Sequence, residues 1–269
     1  MEWWQALCLA LVQGLTEFLP ISSSAHLVLP SLLLGWPDQG VAFDVAVHFG
    51  TLTAVVLYFR RDLIDLAVGA LGGVTARRMN DELREVGFLI VATLPALVAG
   101  IALNSVMDDL RSVAVIATTT LVFGLLLGVA DRRVAAHAAP AVRSWGMALV
   151  IGLAQAIAPI PGTSRSGITI TAGLLLGLSR AAAARFSFLM SIPVIAGAAL
   201  LKLLELLETP LGVDWLLLGA ATGLAAVSAY SCIALFLRLI ERIGMMPFVV
   251  YRLILGLVLV AVWWLARAP

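Results

Sequence analysis

Residues 159–167 read Pro159-Ile160-Pro161-Gly162-Thr163-Ser164-Arg165-Ser166-Gly167. They fall midway along 144–178, an otherwise apolar stretch long enough to cross a bilayer, for which about 20 residues of helix suffice. Two prolines and a glycine followed by hydroxyls are turn chemistry. Backbone that leaves the helix at membrane depth survives only where protein buries it or where it lines a wet cavity. The stretch therefore reads as a re-entrant helix–loop–helix hairpin. Residues 3–35 repeat the pattern, broken at Pro20-Ile21-Ser22-Ser23-Ser24.

The rest of the chain agrees with a membrane setting. Of 269 residues, 62% are hydrophobic and 12% charged, against roughly 45–50% and about 25% in soluble domains. A net charge of +1 excludes a nucleic-acid binder and a polybasic peripheral protein. Cys8 and Cys232 each lie in an apolar run, so they offer no disulfide framework or paired metal site and read as small core residues. No cleavable signal is expected, since Glu2 replaces the basic start and the first apolar run contains Gln13 and Glu17.

Uncharged runs at 86–107, 112–130, 144–164 and 215–237 are close to span length, and shorter ones at 45–59, 186–201 and 253–266 become spans if Asp44, Arg185 or Arg252 is buried, snorkels or is used. Shifted by 142 residues, 11–35 aligns with 153–177 with eight identities, among them Gln13, Ser22, Ser24 and Gly35. The expected architecture is an all-α integral membrane protein of one domain, 1–269, built as an inverted repeat. Each half, 1–130 and 144–269, holds one re-entrant hairpin plus three transmembrane helices, about 43–60, 86–106 and 112–130, then 184–207, 214–237 and 247–267. Three spans per half is odd, which forces the inversion, and two broken segments in corresponding positions then mark a site near the midplane.

This topology gathers Arg60, Arg61, Arg77, Arg78, Arg132 and Arg133, with further arginines, on one side, and little beyond Arg111, Lys202 and Arg267 on the other. The basic side is cytoplasmic. Both termini and the mouth of the first hairpin then face the periplasm or cell exterior. The polar stretch 61–85 reads as a solvated connection with one short amphipathic helix.

In the first hairpin Gln13 and Glu17 stand one helical turn apart on one face. A carboxylate at membrane depth is costly and reads as functional. Ser22, Ser23, Ser24 and His26 add hydroxyls and an imidazole suited to acid–base or nucleophilic work. In the second, Arg165 lies between glycines and Ser164 and Ser166 at the start of a helix with Gly167, an anion site suited to phosphate oxygens. Thr169 falls on the helix face that extends it. Asp44 and His48, at i and i+4, read either as a structural hydrogen bond or as a pair orienting the first hairpin. His137 reads as solvated. One half brings acid–base groups and the other a phosphate clamp, a constellation for phosphoryl chemistry at a lipid headgroup.

These motifs resemble those of the undecaprenyl-diphosphate phosphatase family, the bacitracin-resistance type of membrane phosphatase. The resemblance rests on Gln13 through His26, on Pro161 through Gly167, on Phe43-Asp44-Val45-Ala46-Val47-His48-Phe49-Gly50, and on Phe186-Ser187-Phe188-Leu189 with Ile192-Pro193. It implies hydrolysis of undecaprenyl diphosphate to undecaprenyl phosphate and inorganic phosphate in the bacterial inner membrane, recycling the lipid carrier of peptidoglycan synthesis, with a divalent cation, Mg or Ca. It carries the family's essential glutamate, histidine and arginine onto Glu17, His26 and Arg165, with Glu17 as base or metal ligand. The family's first signature accepts Glu or Gln at the position of Gln13, so the neutral residue is within pattern but removes one possible metal ligand; Ala25 and His48 depart from a usual Gly and Gln. Two mechanisms stay open: attack by Ser23 or His26, or direct attack by water. The partners implied are the lipid substrate and the bilayer, with homodimerisation left open.

Three rivals are weighed. A transporter of the same architecture has no use for the Glu17, Ser23 and His26 cluster. An intramembrane serine protease is opposed by Arg165 beside the serines. The phosphatidic-acid type of lipid phosphatase needs a histidine six residues after the arginine, where this chain has Thr171.

Overall fold

The structure, a computed structural model, describes residues 2–37, 40–103, 110–135, 137–208 and 214–265. Among these, eleven helices form and no strand does, with one isolated bridge between Ala139 and Leu178. In chain order they are α1 (Trp3–Thr16), α2 (Ser23–Leu34), α3 (Gly40–Tyr58), α4 (Arg60–Thr75), α5 (Asp81–Leu103), α6 (Val113–Arg132), α7 (Trp145–Gln155), α8 (Arg165–Leu175), α9 (Arg180–Glu208), α10 (Trp215–Ile243) and α11 (Met246–Leu265). Six of them, α3, α5, α6, α9, α10 and α11, are long and apolar enough to cross a membrane. They coincide with the six expected spans; residues 104–106, 266 and 267 of those expectations, Arg267 included, lie outside the described residues.

Caps set the helix starts. Ser112 Oγ accepts from Val115 N, Ser144 Oγ from Met147 N and Asp214 Oδ1 from Leu217 N, each satisfying one donor that a helix start leaves open. Helix α2 ends where Gly35 turns left-handed at φ 64°.

The stretch 61–85 holds the amphipathic helix expected of it, but longer, and little of it is a solvated connection. It is mostly α4, a helix of 16 residues that starts directly after α3, and α5 begins at Asp81. Ile64, Val68, Leu71 and Val74 recur at helical spacing and are all exposed, a periodicity that the arginines around them mask. Asn80 ties the two helices, its Nδ2 donating to the Gly69 carbonyl while its Oδ1 accepts from Leu83 N. Cys8 is also exposed, whereas Cys232 is buried. An apolar run in a membrane protein can face lipid as readily as the core.

Two close crossings position the site. A Cβ on Gly14 of α1 would lie 1.9 Å from Ser228 Oγ and 2.6 Å from the Ala225 carbonyl of α10. One on Gly50 of α3 would lie 2.4 Å from the Thr222 carbonyl of the same helix. Small residues thus let α1 and α3 lie side by side on α10, which brings Gln13 within reach of His48.

Candidate active site

Loops 17–22 and 156–164 break the two helical pairs α1–α2 and α7–α8, and they meet. Gly162 N donates to Ser24 Oγ at 3.1 Å, and Ser166 Oγ donates to the Leu19 carbonyl at 2.9 Å. Gly162, at φ +86°, packs so tightly on α6 that a Cβ would fall 2.2 Å from Thr119 Oγ1 and 2.5 Å from the Ile116 carbonyl. Ser22 and Ser164, each just before the second helix of its pair, hold φ of 73° and 68°, a region that costs a non-glycine residue about 1–3 kcal/mol. Local bonds hold them there. His26 Nδ1 donates to the Ser22 carbonyl at 2.7 Å, and Ser164 Oγ accepts from Gly167 N.

The chemistry gathers on Glu17. Its Oε1 accepts from Arg165 Nη2 at 3.2 Å, and its Oε2 accepts from Gln13 Nε2 at 2.9 Å and from Ser23 Oγ at 3.1 Å. Both charged side chains are about nine-tenths buried, where their attraction is screened far less than at a surface. Arg165 is oriented by the Ser187 carbonyl at 3.3 Å and by the Phe18 ring, 5.7 Å from its Cζ. These contacts leave guanidinium donors for an anion.

A cavity of about 600 Å³ opens over this cluster, lined by Glu17, Ser22, Ser23, Ser24, Ser164 and Arg165 at its polar end. Its walls are apolar residues of α5 and α9, such as Leu97, Ile101, Val194 and Leu201, and Arg111 and Lys202 stand at its rim. Glu17 is the one carboxylate among the described lining residues.

Other expected residues take supporting positions. Gly167 gives its N–H to Ser164 Oγ, so that donor of α8 caps the helix. Thr169 Oγ1 is hydrogen-bonded to Ser187 Oγ at 2.7 Å, beneath Arg165. His26 points away from the cavity into an apolar groove shared with Leu15, Leu19 and Phe248, where Tyr251 donates to its Nε2 at 2.6 Å. His48 lines the cavity, with Nδ1 on the Asp44 carbonyl at 2.7 Å.

Four residues without an expected site role join it: Arg252, Tyr251, Ser187 and Gln155. Arg252 is fully buried and donates to the carbonyls of Pro20, Gly162, Thr163, Thr119 and Thr120. One guanidinium thus clamps both loops to α6 and adds positive charge beside the cluster. The available signal was a lone arginine inside the apolar run 244–265. Gln155 carried one too, as the counterpart of Gln13 at the 142-residue offset. It lines the cavity, gives Nε2 to the Ala92 carbonyl at 3.2 Å, and keeps a buried Oε1 without a partner among the described residues.

The family model described as bacitracin resistance protein BacA matches residues 6–258. The undecaprenyl-diphosphatase of Alcanivorax borkumensis is 59% identical over 268 residues, 99% of this chain and 100% of that protein. That of Teredinibacter turnerae is 58% identical over 252 residues, covering 93% and 96%. That of Hahella chejuensis is 54% identical over 259 residues, covering 95% and 96%.

Proposed function

Because this chain belongs to the bacitracin resistance protein BacA family, we propose that it is a phosphatase that hydrolyses undecaprenyl diphosphate to undecaprenyl phosphate and inorganic phosphate. The observation that carries the reading is the Glu17, Ser23 and Arg165 cluster at the polar end of an apolar-walled cavity. A polyprenyl diphosphate has the matching division, an anionic head on a long apolar tail. Its head meets the Arg165 guanidinium beside one carboxylate, with the buried Arg252 behind the two loops adding positive charge.

In this reading Ser23 Oγ attacks the terminal phosphorus while its proton passes to Glu17 Oε2. The bond from that phosphorus to the bridging oxygen breaks, and Glu17 passes its proton to the undecaprenyl phosphate as it leaves; the freed carboxylate then deprotonates a water that cleaves the phosphoserine, and its proton returns to Ser23 Oγ as inorganic phosphate departs. Arg165 holds the phosphoryl oxygens as charge moves onto the leaving group. His26, committed to Ser22 and Tyr251, acts by holding the Ser22 backbone. A hard divalent cation, Mg or Ca, fits a donor set of one carboxylate and neighbouring hydroxyl oxygens if substrate phosphates complete its shell. Glu17, with Ser23 beside it, would hold it, and it would neutralise phosphoryl charge.

The wider arrangement is read as two re-entrant hairpins in an inverted repeat within the bacterial inner membrane, with the cavity open outward. In support, α1 and α7 begin at Trp3 and Trp145, α2 and α8 at Ser23 and Arg165, and the positive-φ Ser22 and Ser164 correspond, all at the same 142-residue offset.

Phosphate release from undecaprenyl diphosphate is the test, with purified wild type and with Glu17→Ala, Arg165→Ala and Ser23→Ala. Losses of about 10²-fold to 10⁴-fold are expected for Glu17 and Arg165, and chelator removes wild-type activity. Rapid quench with labelled substrate traps phosphate on Ser23. Wild type without phosphate release overturns the activity; full turnover with no label on protein overturns the serine route.

A further inference from the structure

Helix α4 lines no part of the cavity and crosses no membrane. At 16 residues it is shorter than the roughly 20 that a bilayer requires. It starts at Arg60, directly after α3 ends at Tyr58, and α5 begins at Asp81. Both α3 and α5 are long and apolar enough to span, so the chain leaves the membrane and re-enters it within this stretch, which holds α4 at one membrane face. One side of the helix is packed. Leu66 and Gly73 are buried, and a Cβ on Gly69 or Gly73 would fall 2.5 Å from Glu82 or 2.7 Å from Asn80. The other side carries Ile64, Val68, Leu71 and Val74, 59–65% exposed, an apolar stripe that nothing among the described residues covers.

Charge brackets that stripe. Arg60 and Arg61 stand at its start and Arg77 and Arg78 just past its end, all of them exposed. Most acids nearby already have partners: Asp62 and Glu85 pair with Arg185 of α9, and Asp81 pairs with Arg84. Asp65 and Glu82 are left, the second against Gly69 on the packed side. At the far end, Arg78 N donates to the Gly73 carbonyl and Arg77 N to the Val74 carbonyl, while Arg77 holds φ 52°. This is the left-handed close of a helix, where glycine fits best. The chain puts an arginine there instead, and a second one after it.

We propose that α4 is an interfacial anchor whose apolar stripe lies at the acyl-chain boundary of one leaflet and whose terminal arginines hold anionic phospholipid headgroups. An exposed apolar stripe with cations at its edges seats in the interface plane and favours anionic lipid. In the outward orientation proposed above, the leaflet is the cytoplasmic one, which carries the negative surface charge. A second copy of the chain is the poorer cover, because two α4 helices paired about a two-fold axis set arginine against arginine at their ends, parallel or antiparallel. Through Arg185, which holds Asp62 of α4 and Glu85 of α5 from α9, the anchor is fastened to both helices that wall the cavity.

The test uses the full chain with Cys8→Ser, Cys232→Ser and a bimane fluorophore on Val68→Cys. Vesicles hold equal phosphatidylcholine and phosphatidylglycerol, one or the other with brominated chains that quench on contact. Quenching is expected from both, with phosphatidylglycerol favoured about fivefold or more in local occupancy, the gain from one arginine at an anionic surface. A bimane on Gly72→Cys, where a Cβ meets nothing within 4 Å, lies on the flank and is quenched less. Arg77→Gly suits its backbone, so its thermal midpoint in detergent stays at or above the parent's while the preference at position 68 falls. Adding Arg60→Gln, Arg61→Gln and Arg78→Gln removes the preference. Absent quenching by either lipid overturns the anchor, and pyrene excimer emission from Val68→Cys would then identify a second copy as the cover. Equal quenching by the two lipids, or an unchanged preference in Arg77→Gly, overturns the headgroup site. None of these readings needs turnover, so they stand apart from the phosphatase reading.

Discussion

At the scale of single residues, the sequence pattern picks out only part of what meets at the candidate site. Glu17, Ser23 and Arg165 were legible because a charge or a run of hydroxyls inside an apolar stretch is expensive and needs a reason. His26 carried the same signal, yet its two nitrogens serve a backbone carbonyl and Tyr251, a contact between residues 225 positions apart that no local spacing reveals. Arg252 was harder still. It stands nearly two turns inside α11 without a carboxylate partner in the local sequence, and its five acceptors are carbonyls, which every residue has. Hydrogen bonds to a charged group contribute about 1.5–3 kcal/mol each, so Arg252→Met should destabilise the protein by about 3 kcal/mol or more. In a chain of this size that lowers the thermal midpoint by roughly 6 °C or more, and it should abolish phosphate release. Arg252→Lys, with three donors on one point, should recover part of the stability and little of the activity. Midpoints measured in detergent check this; an unchanged midpoint in Arg252→Met would mean that the loops hold themselves.

Among elements, the spans followed from length and hydropathy, because a bilayer imposes one dimension on all of them. Helix α4 was legible only as a short amphipathic piece, since arginines at both of its ends, 60, 61, 77 and 78, give the stretch the look of a polar connection. The two broken segments were legible as breaks, but how closely they meet depends on what lies behind each loop. Gly162 is the clearest case. Its left-handed backbone and the lack of room against Thr119 and Ile116 act together, whereas Gly177, at φ +89°, has nothing within 4 Å of where a Cβ would stand. Gly177→Ala therefore carries backbone strain alone, about 1–3 kcal/mol. Gly162→Ala must also push the loop off α6, and displacement of about 1 Å at a reacting centre costs on the order of 10²-fold in rate. Phosphate release should fall about 10²-fold in Gly162→Ala and stay within a few-fold in Gly177→Ala. Equal losses in the two would place the sensitivity in the backbone conformation and not in the contact with α6.

For the whole molecule, the open question is which side of the membrane the cavity serves. In the proposed orientation Arg60, Arg61, Arg77 and Arg78 lie inside the cell, and a chain that crosses once through α5 returns Arg111 to the outside. Arg111 lines the cavity rim and Met79 is exposed between α4 and α5, so the two positions report on opposite faces. In a background of Cys8→Ser and Cys232→Ser, the single variants Arg111→Cys and Met79→Cys can be offered a membrane-impermeant maleimide in intact cells stripped of their outer membrane. Labelling of position 111 and protection of position 79, with both labelled after permeabilisation, is expected. The reverse pattern would turn the cavity toward the cytoplasm, and the lipid diphosphate would then have to reach the enzyme from the inner leaflet. The outcome bears on the apolar walls as well. A cavity between α5 and α9 that opens both to lipid and to the outer face lets the head enter from the outer leaflet while the tail stays in hydrocarbon. A tail of that length never has to leave the membrane, and the binding free energy is left for the anionic end that reacts.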